Sequence, residues 1–344
     1  MKATYKKHIL NFRRPSGTSR GVLTSKETWF ILLEANGKRG IGECGLLRGL
    51  SSDDRPDYEE KLQWVCDNIH LGEKALWELL KDFPSIQFGV EAAFKSLGAD
   101  NPYELFPSPF TEGREDIPIN GLVWMGEEGY MKEQIEEKIQ QGFTCIKLKI
   151  GAIDFNKELS LLKFIRQHFT EKEIEIRVDA NGAFSAIEAL DKIYQLSEFK
   201  IHSIEQPISK NQHDSMAALC KNAAVPIALD EELIGISDKD ARAALLEAVK
   251  PQYIILKPSL VGGMRGTLGW IQLAEDLGIG WWITSALESN IGLNAIAQFT
   301  FLLNNPLPQG LGTGALYTNN FACPLEVING KLRYSPLLGW DVAL

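Results

Sequence analysis

From Ile119 onward the sequence repeats one texture: a short apolar run, a turn, an amphipathic stretch, then another apolar run about one βα unit later. The runs are INGLVWM (119–125), CIKLKI (145–150), IEIRVDANG (174–182), IHSIEQPI (201–208), VPIALDEEL (225–233), YIILKPSL (253–260), GWWITSAL (280–287) and the shorter GLGTG (310–314). Helical segments such as NKELSLLKFIRQHF and GTLGWIQLAEDLG separate them. Apolar runs without clean alternation suit strands covered on both faces. Eight of them with helices between predict an α/β fold, a modified TIM barrel of (β/α)7β type.

The 344 residues exceed what one compact core usually holds, so a second domain is expected. ETWFILLE (27–34) and KRGIGECG (38–45) flank Asn36-Gly37, a hairpin signal because both turn positions take positive φ. Helical patterns follow at 58–69 and 86–98, and the proline-rich stretch 101–116 reads as a join. Residues 1–115 are therefore expected to form an α+β capping domain, joined by the C-terminal tail 315–344 with its strand-like PLEVING. Residues 116–314 are expected to form the barrel that carries the active site.

Composition narrows the partners. An apolar fraction of 44% with 24% charged residues is that of a globular chain. The net charge, 36 − 45 = −9, argues against nucleic acid or an anionic membrane as partner and leaves a small carboxylate substrate open. No run has the length of a bilayer span. Five scattered cysteines without a CxxC pair fit reduced thiols, so a cytoplasmic location is expected. A homo-oligomer stays open.

In CIKLKIG, Lys147 and Lys149 share one face of a strand. A parallel barrel has no wet strand face, so both lysines are expected to point into the lumen, where they need anions. The anions recur at one βα period: Asp179, Glu205 and Asp230 on the next three runs, followed by Lys257 on the sixth. Each sits at the C-terminal end of its strand, the end where barrel active sites are built. One acid there reads as a helix cap, but three in succession bracketed by lysines do not. Converging carboxylates repel one another unless something neutralises them, and an all-oxygen set selects a hard divalent ion, Mg²⁺ with Mn²⁺ as substitute. Zinc is disfavoured: His168 falls on a helix, and His202, three residues before Glu205, is expected on the opposite strand face. Strands two and six face each other across an eight-stave ring. A carboxylate held on the arc between them would have Lys149 on one side and Lys257 on the other, which suits proton abstraction α to that carboxylate.

KLK, VDANG, EQP, DEE and KPSLVGG on successive strands resemble the enolase superfamily, in its muconate-lactonising-enzyme-like branch, and the resemblance spans nearly the whole chain. It implies Asp179, Glu205 and Asp230 as metal ligands, Lys149 as the acid/base residue and Lys257 as its counterpart. It further implies that Lys147 steadies the carboxylates, that Asn181 supports the site and that Glu231 orients Lys257. SALESNIGL (285–293) and GLGTGALYTNN (310–320) are similar to the aromatising dehydratases of that branch, lyases of menaquinone biosynthesis. The D-x-D motif by which dipeptide epimerases hold an ammonium is missing from that region. That similarity implies a syn dehydration of a cyclohexadiene carboxylate, with Ser285 and Arg20 against the substrate and the segments 14–22 and 45–54 as lids. An N-acyl amino acid racemase of the same branch is the alternative, because it too uses opposed lysines. A Schiff-base aldolase using Lys257 is more remote, since it has no need of three acids.

Overall fold

The computed structural model describes residues 1–18 and 21–344. The chain opens with a three-stranded antiparallel sheet, β1 (Lys2–Thr18), β2 (Gly21–Ala35) and β3 (Lys38–Cys44), in the order β1-β2-β3. Asn36 (φ 52°) and Gly37 (φ 76°) form the turn, and Ala35 pairs with Lys38, as the hairpin signal requires. β1 carries no clear strand signal. It is an edge strand rich in lysine and arginine, a composition that blocks edge-to-edge pairing and masks the apolar alternation.

Three helices follow: α1 (Tyr58–Asp67), α2 (Gly72–Leu79) and α3 (Pro84–Gly98). α3 begins with proline, whose missing N–H is harmless in the first turn. It is buried on both sides: Ile86, Val90 and Ala93 join the core of the first sheet, while Phe88 and Ala92 join the core of the barrel. The approach to β3 is so close that a Cβ on Gly42 would lie 1.9 Å from the Gly89 carbonyl oxygen. This helix ties the two sheets together.

After a two-residue strand β4 (Ile117–Pro118) come seven parallel staves: β5 (Gly121–Val123), β6 (Cys145–Lys149), β7 (Glu175–Asp179), β8 (Ser203–Glu205), β9 (Ile227–Leu229), β10 (Tyr253–Leu256) and β11 (Gly280–Ile283). They are hydrogen-bonded in sequence order, with seven helices, α4 (Glu128–Gln140) to α10 (Asn290–Leu302), between and after them. Parallel bridges from Gln309 to Ile119 and from Gly310 to Thr284 close the ring. The eighth stave is thus shorter than the GLGTG run and begins one residue earlier, and Gly314–Leu316 is a 3-10 turn. Glycine suits the closure, because a Cβ on Gly310 would lie 2.5 Å from Thr284 Oγ1.

Strand parity sorts the side chains. Ile146, Leu148, Ile176, Val178, Ile204 and Leu229 enter the apolar layer, while Lys147, Lys149, Arg177, Asp179 and Glu205 take the alternate positions. In the tail, β12 (Leu325–Ile328) pairs with β13 (Lys331–Tyr334), which pairs in turn with β4, and Leu332 and Tyr334 join the barrel core. Phe321, Trp340 and Val342 pack on Phe30 and Ile41 of the first sheet. Among the described residues no helix is long and apolar enough to cross a membrane.

Candidate active site

The register places Lys149 beside Asp179 and Asp179 beside Glu205, each the last residue of its stave. Asp230 and Lys257 follow β9 and β10 directly. Lys149 Nζ donates to Asp179 Oδ2 (2.9 Å) and Asn181 Oδ1 (2.7 Å). Lys147 Nζ lies 3.1 Å from the same Asp179 oxygen and pairs with Glu205. Lys257 pairs with Asp230. The sequence-derived constellation therefore comes together at one end of the barrel, and its acids are almost completely buried.

Burial alone would raise the Asp179 and Glu205 carboxyls, and the lysines decide the outcome unequally. For Asp179, burial is outweighed by the Lys147 and Lys149 ammoniums, which hold its carboxyl well below the usual range. For Glu205, burial and the Asp179 charge prevail over Lys147 and push its carboxyl up to about 8. Burial disfavours the charge on Lys147 and Lys257 too. The facing acids, Asp179 and Glu205 for one and Asp230 for the other, more than compensate and raise both.

Glu205 Oε1 is buried without a hydrogen-bond partner. A carboxylate oxygen short of a donor, among acids that still draw positive charge, fits a hard divalent cation held by Asp179, Glu205 and Asp230. Among the described residues the acids do not themselves stand at metal-ligand spacing, because the ammonium groups of Lys147, Lys149 and Lys257 take up their oxygens.

Short motifs set this geometry. Asn181 (φ 45°) and Gln206 (φ 38°) adopt left-handed backbone, which asparagine tolerates well. The Gln206 side-chain oxygen accepts the N–H of Asp230 (3.2 Å) and of Glu232 (3.3 Å), while its amide donates to Glu232 (3.1 Å). The glutamine of EQP thereby pins the turn of DEE and places Asp230. Asn181 donates to Glu231 (3.0 Å), and the Glu231 charge also helps raise Lys257.

His202 departs from its expected position. Its ring packs on Tyr253 (centroids 4.9 Å apart) and Trp282 (6.1 Å), because the residue precedes β8 and escapes the strand's parity. It lies far down its stave from Glu205 and remains a packing residue. His168 ends α5 (Phe155–His168) and is exposed.

A cavity of about 310 Å³ opens above the charged cluster. Lys147, Lys149, Asp179, Asn181 and Lys257 form one side, and Leu23, Leu47, Leu50, Leu122 and Trp124 form an apolar wall. Ser285 lines it, but its hydroxyl donates to Glu288 (2.6 Å) and accepts from Thr313 (2.9 Å) and the Leu287 N–H (3.0 Å), which fills its bonding capacity. Arg20 lies outside the described residues. Arg48 also lines the cavity, with its guanidinium bound to Glu27 and Asp54. Nothing in the sequence marks the apolar wall. Leu47 and Leu50 sit in a segment dominated by glycine, serine and aspartate, and Trp124 reads as strand.

A family model described as "Enolase C-terminal domain-like" matches residues 130–343. An o-succinylbenzoate synthase of Desulfotalea psychrophila is 47% identical over 97% of this chain and 99% of its own length. The crystal structure of MenC from Desulfotalea psychrophila LSv54 superposes with a TM-score of 0.86 at 44% identity, covering 97% of this chain and 99% of that one. An N-succinylamino acid racemase of Thermus thermophilus is 28% identical over 80% of this chain and 75% of its own length.

Proposed function

The chain belongs to the enolase superfamily, and from that premise we propose that it is a carbon–oxygen lyase of the o-succinylbenzoate synthase type. The reaction is the syn dehydration of 2-succinyl-6-hydroxy-2,4-cyclohexadiene-1-carboxylate to 2-succinylbenzoate and water, a step of menaquinone biosynthesis in the cytoplasm. Its substrate partner is this small carboxylate. The observation that carries the reading is the cavity itself: two lysines from opposed staves face an apolar wall wide enough for a ring. Asp179 is the one acid among its described lining residues and is bound by both Lys147 and Lys149, so no acid there is left to receive a substrate ammonium.

The roles follow from placement. Lys149 as free amine takes the α-proton, and the C–H electron pair moves toward the carboxylate carbon to give an enediolate. The Lys149 ammonium then protonates the hydroxyl on the same face, which leaves as water while the ring becomes aromatic. Lys257, on the opposite stave, holds the developing negative charge with its ammonium. Lys147 keeps Asp179 and Glu205 aligned. A divalent cation, magnesium in the superfamily's general pattern, would be held by Asp179, Glu205 and Asp230 and supplies stabilisation of the charge that builds on the carboxylate.

The opposed lysines also suit racemisation of N-succinyl amino acids, the activity named for the Thermus thermophilus relative. The deciding experiment runs both assays on the magnesium-supplemented protein: aromatic product formation by ultraviolet absorbance, and α-proton exchange of N-succinyl amino acids in D₂O. Dehydration should be the faster. Exchange far exceeding dehydration would replace this reading with the racemase.

A further inference from the structure

Glu43, on β3, is fully buried, and its two carboxylate oxygens receive four donors. Oε1 accepts from Thr28 Oγ1 on β2 (2.7 Å) and from the Ser289 N–H (2.9 Å). Oε2 accepts from the Ser289 hydroxyl and from the Gly292 N–H (2.9 Å). Four donors fill the accepting capacity of a carboxylate. Three of them belong to the barrel, 246 and 249 residues further along the chain.

The pattern is a helix cap supplied from outside the helix. Ser289 precedes α10, and its hydroxyl also accepts the Ile291 N–H (3.2 Å). In a capping box, a glutamate three residues after the cap reaches back to the cap's own N–H. Here that position is Gly292, and Glu43 takes over the glutamate's part while also binding the Gly292 N–H. Glycine is needed at that place, because a Cβ on Gly292 would lie 2.7 Å from Glu43 Oε2. The carboxylate also meets the positive end of the helix dipole. The SALESNIGL run thus contains a seat for an acid of the first sheet.

The segments on either side of this junction form part of the cavity wall. Ser285, Ala286 and Leu287, just before Ser289, line the cavity, and so do Leu47, Arg48 and Leu50, a few residues after Glu43. Leu287 has φ 64°, a backbone region that costs a bulky side chain, and the Tyr317 hydroxyl holds its carbonyl (2.7 Å). The two segments meet without slack: a Cβ on Gly45 would lie 2.9 Å from Glu288 Cγ and 2.9 Å from Ser259 Oγ. Moving Glu43 off its seat would therefore shift one segment of the wall against the other.

We propose that Glu43 is a positioning residue: by capping α10 from the first sheet it fastens the 45–50 segment to the 285–289 rim of the barrel, and so sets the width of the cavity that the substrate enters. The inference rests on the dehydration reading for its kinetic and binding assays only, since hydrogen exchange reads the junction without substrate. Wild-type turnover and binding of 2-succinylbenzoate are measured first. Their absence would count against the functional reading alone, and exchange would then decide the proposal.

Full-length, magnesium-supplemented wild type, Glu43→Gln and Leu62→Ala are then compared by steady-state kinetics, calorimetric binding of 2-succinylbenzoate and amide hydrogen exchange. Glu43→Gln turns an NH2 group toward one pair of donors. It should raise KM and the product Kd about tenfold, with kcat changed less, and should speed exchange about tenfold in both 45–54 and 284–292 while β6 stays protected. Leu62 belongs to the apolar core under the first sheet, so Leu62→Ala should lower stability and leave KM and Kd at wild-type values. Wild-type KM and Kd in Glu43→Gln would overturn the proposal, as would an equal rise in Leu62→Ala, or exchange that quickens in only one of the two segments. Should Glu43→Gln fail to fold, Ser289→Ala, which deletes the cap and one of the four donors, takes its place. A rise in KM and Kd of about threefold or more supports the junction, and unchanged KM and Kd overturn it.

Discussion

The lumen of this barrel carries buried charge at both ends, and the two ends use it differently. Toward the start of the staves, Arg177 meets a single acid: its Nε donates to Glu175 (2.7 Å) and one terminal nitrogen to the Pro308 carbonyl (2.8 Å). Its guanidinium lies 4.2 Å from the ring centroid of Trp282, with the ring of Tyr253 beyond. Burial keeps the neighbouring Cys145 thiol protonated. Two residues along the same stave, Asp179 begins a cluster in which three ammoniums share three carboxylates and Glu205 keeps an oxygen without a donor. The lower end is a plug in which one guanidinium meets one carboxylate, a carbonyl and an aromatic face, with only its Nη2 buried without a hydrogen-bond partner among the described residues. At the upper end like charges are forced together, an arrangement that favours binding another cation and moving protons over stability.

That contrast can be broken by substitution. Removing the proton-transfer group should have the largest effect: Lys149→Ala should lower kcat by about 10³-fold, and Lys257→Ala by about 10²-fold or more, with thermal stability retained, in steady-state dehydration assays. A Lys257→Ala enzyme with wild-type kcat would remove that lysine from the mechanism. At the other end, Arg177→Met leaves Glu175 without its partner and should destabilise the fold by about 3–5 kcal/mol in urea titrations, while kcat of the folded fraction stays close to wild type. Loss of turnover at full stability would dissolve the distinction between the two ends.

A buried acid outside the lumen sharpens the comparison. Glu91 on α3 accepts the N–H groups of Met264 and Arg265 at the start of α9 (Gly263–Asp276), and burial pushes its carboxyl up to about 7 from 4.5. A carboxyl raised in the folded state contributes stability that is fully present below pH 4.5 and lost as pH climbs through about 7. Wild type should therefore lose stability relative to Glu91→Gln across that window, by about 3 kcal/mol at most. Parallel pH dependence of the two proteins in denaturant titrations would show that Glu91 does not titrate there.

Much of this was legible in the sequence because barrel parity is strict. Once the runs from Ile119 onward are taken as parallel staves, Lys149, Asp179, Glu205, Asp230 and Lys257 have nowhere to point but the lumen's upper end. Residues off the staves escape that rule. His202 sits one residue before β8 and turns inward against its parity, and the eighth stave shrinks to a pair of bridges at Gln309 and Gly310. The apolar wall of the cavity and the bonds from Glu43 to Ser289 and Gly292 join elements far apart in the chain. Ser285 shows the limit most clearly: its place beside the cavity could be read from the motif, but not that Glu288, Thr313 and Leu287 already fill its hydrogen bonds.

The most direct test is a return titration: strip the protein with a chelator, then follow dehydration of the cyclohexadiene carboxylate as Mg²⁺ is added back. Turnover should vanish on stripping and recover in proportion to one bound ion per chain, with no recovery in Glu205→Gln. Turnover that persists after complete metal removal would contradict the assignment of Asp179, Glu205 and Asp230 to a cation and return the lysines to an imine or a purely structural role.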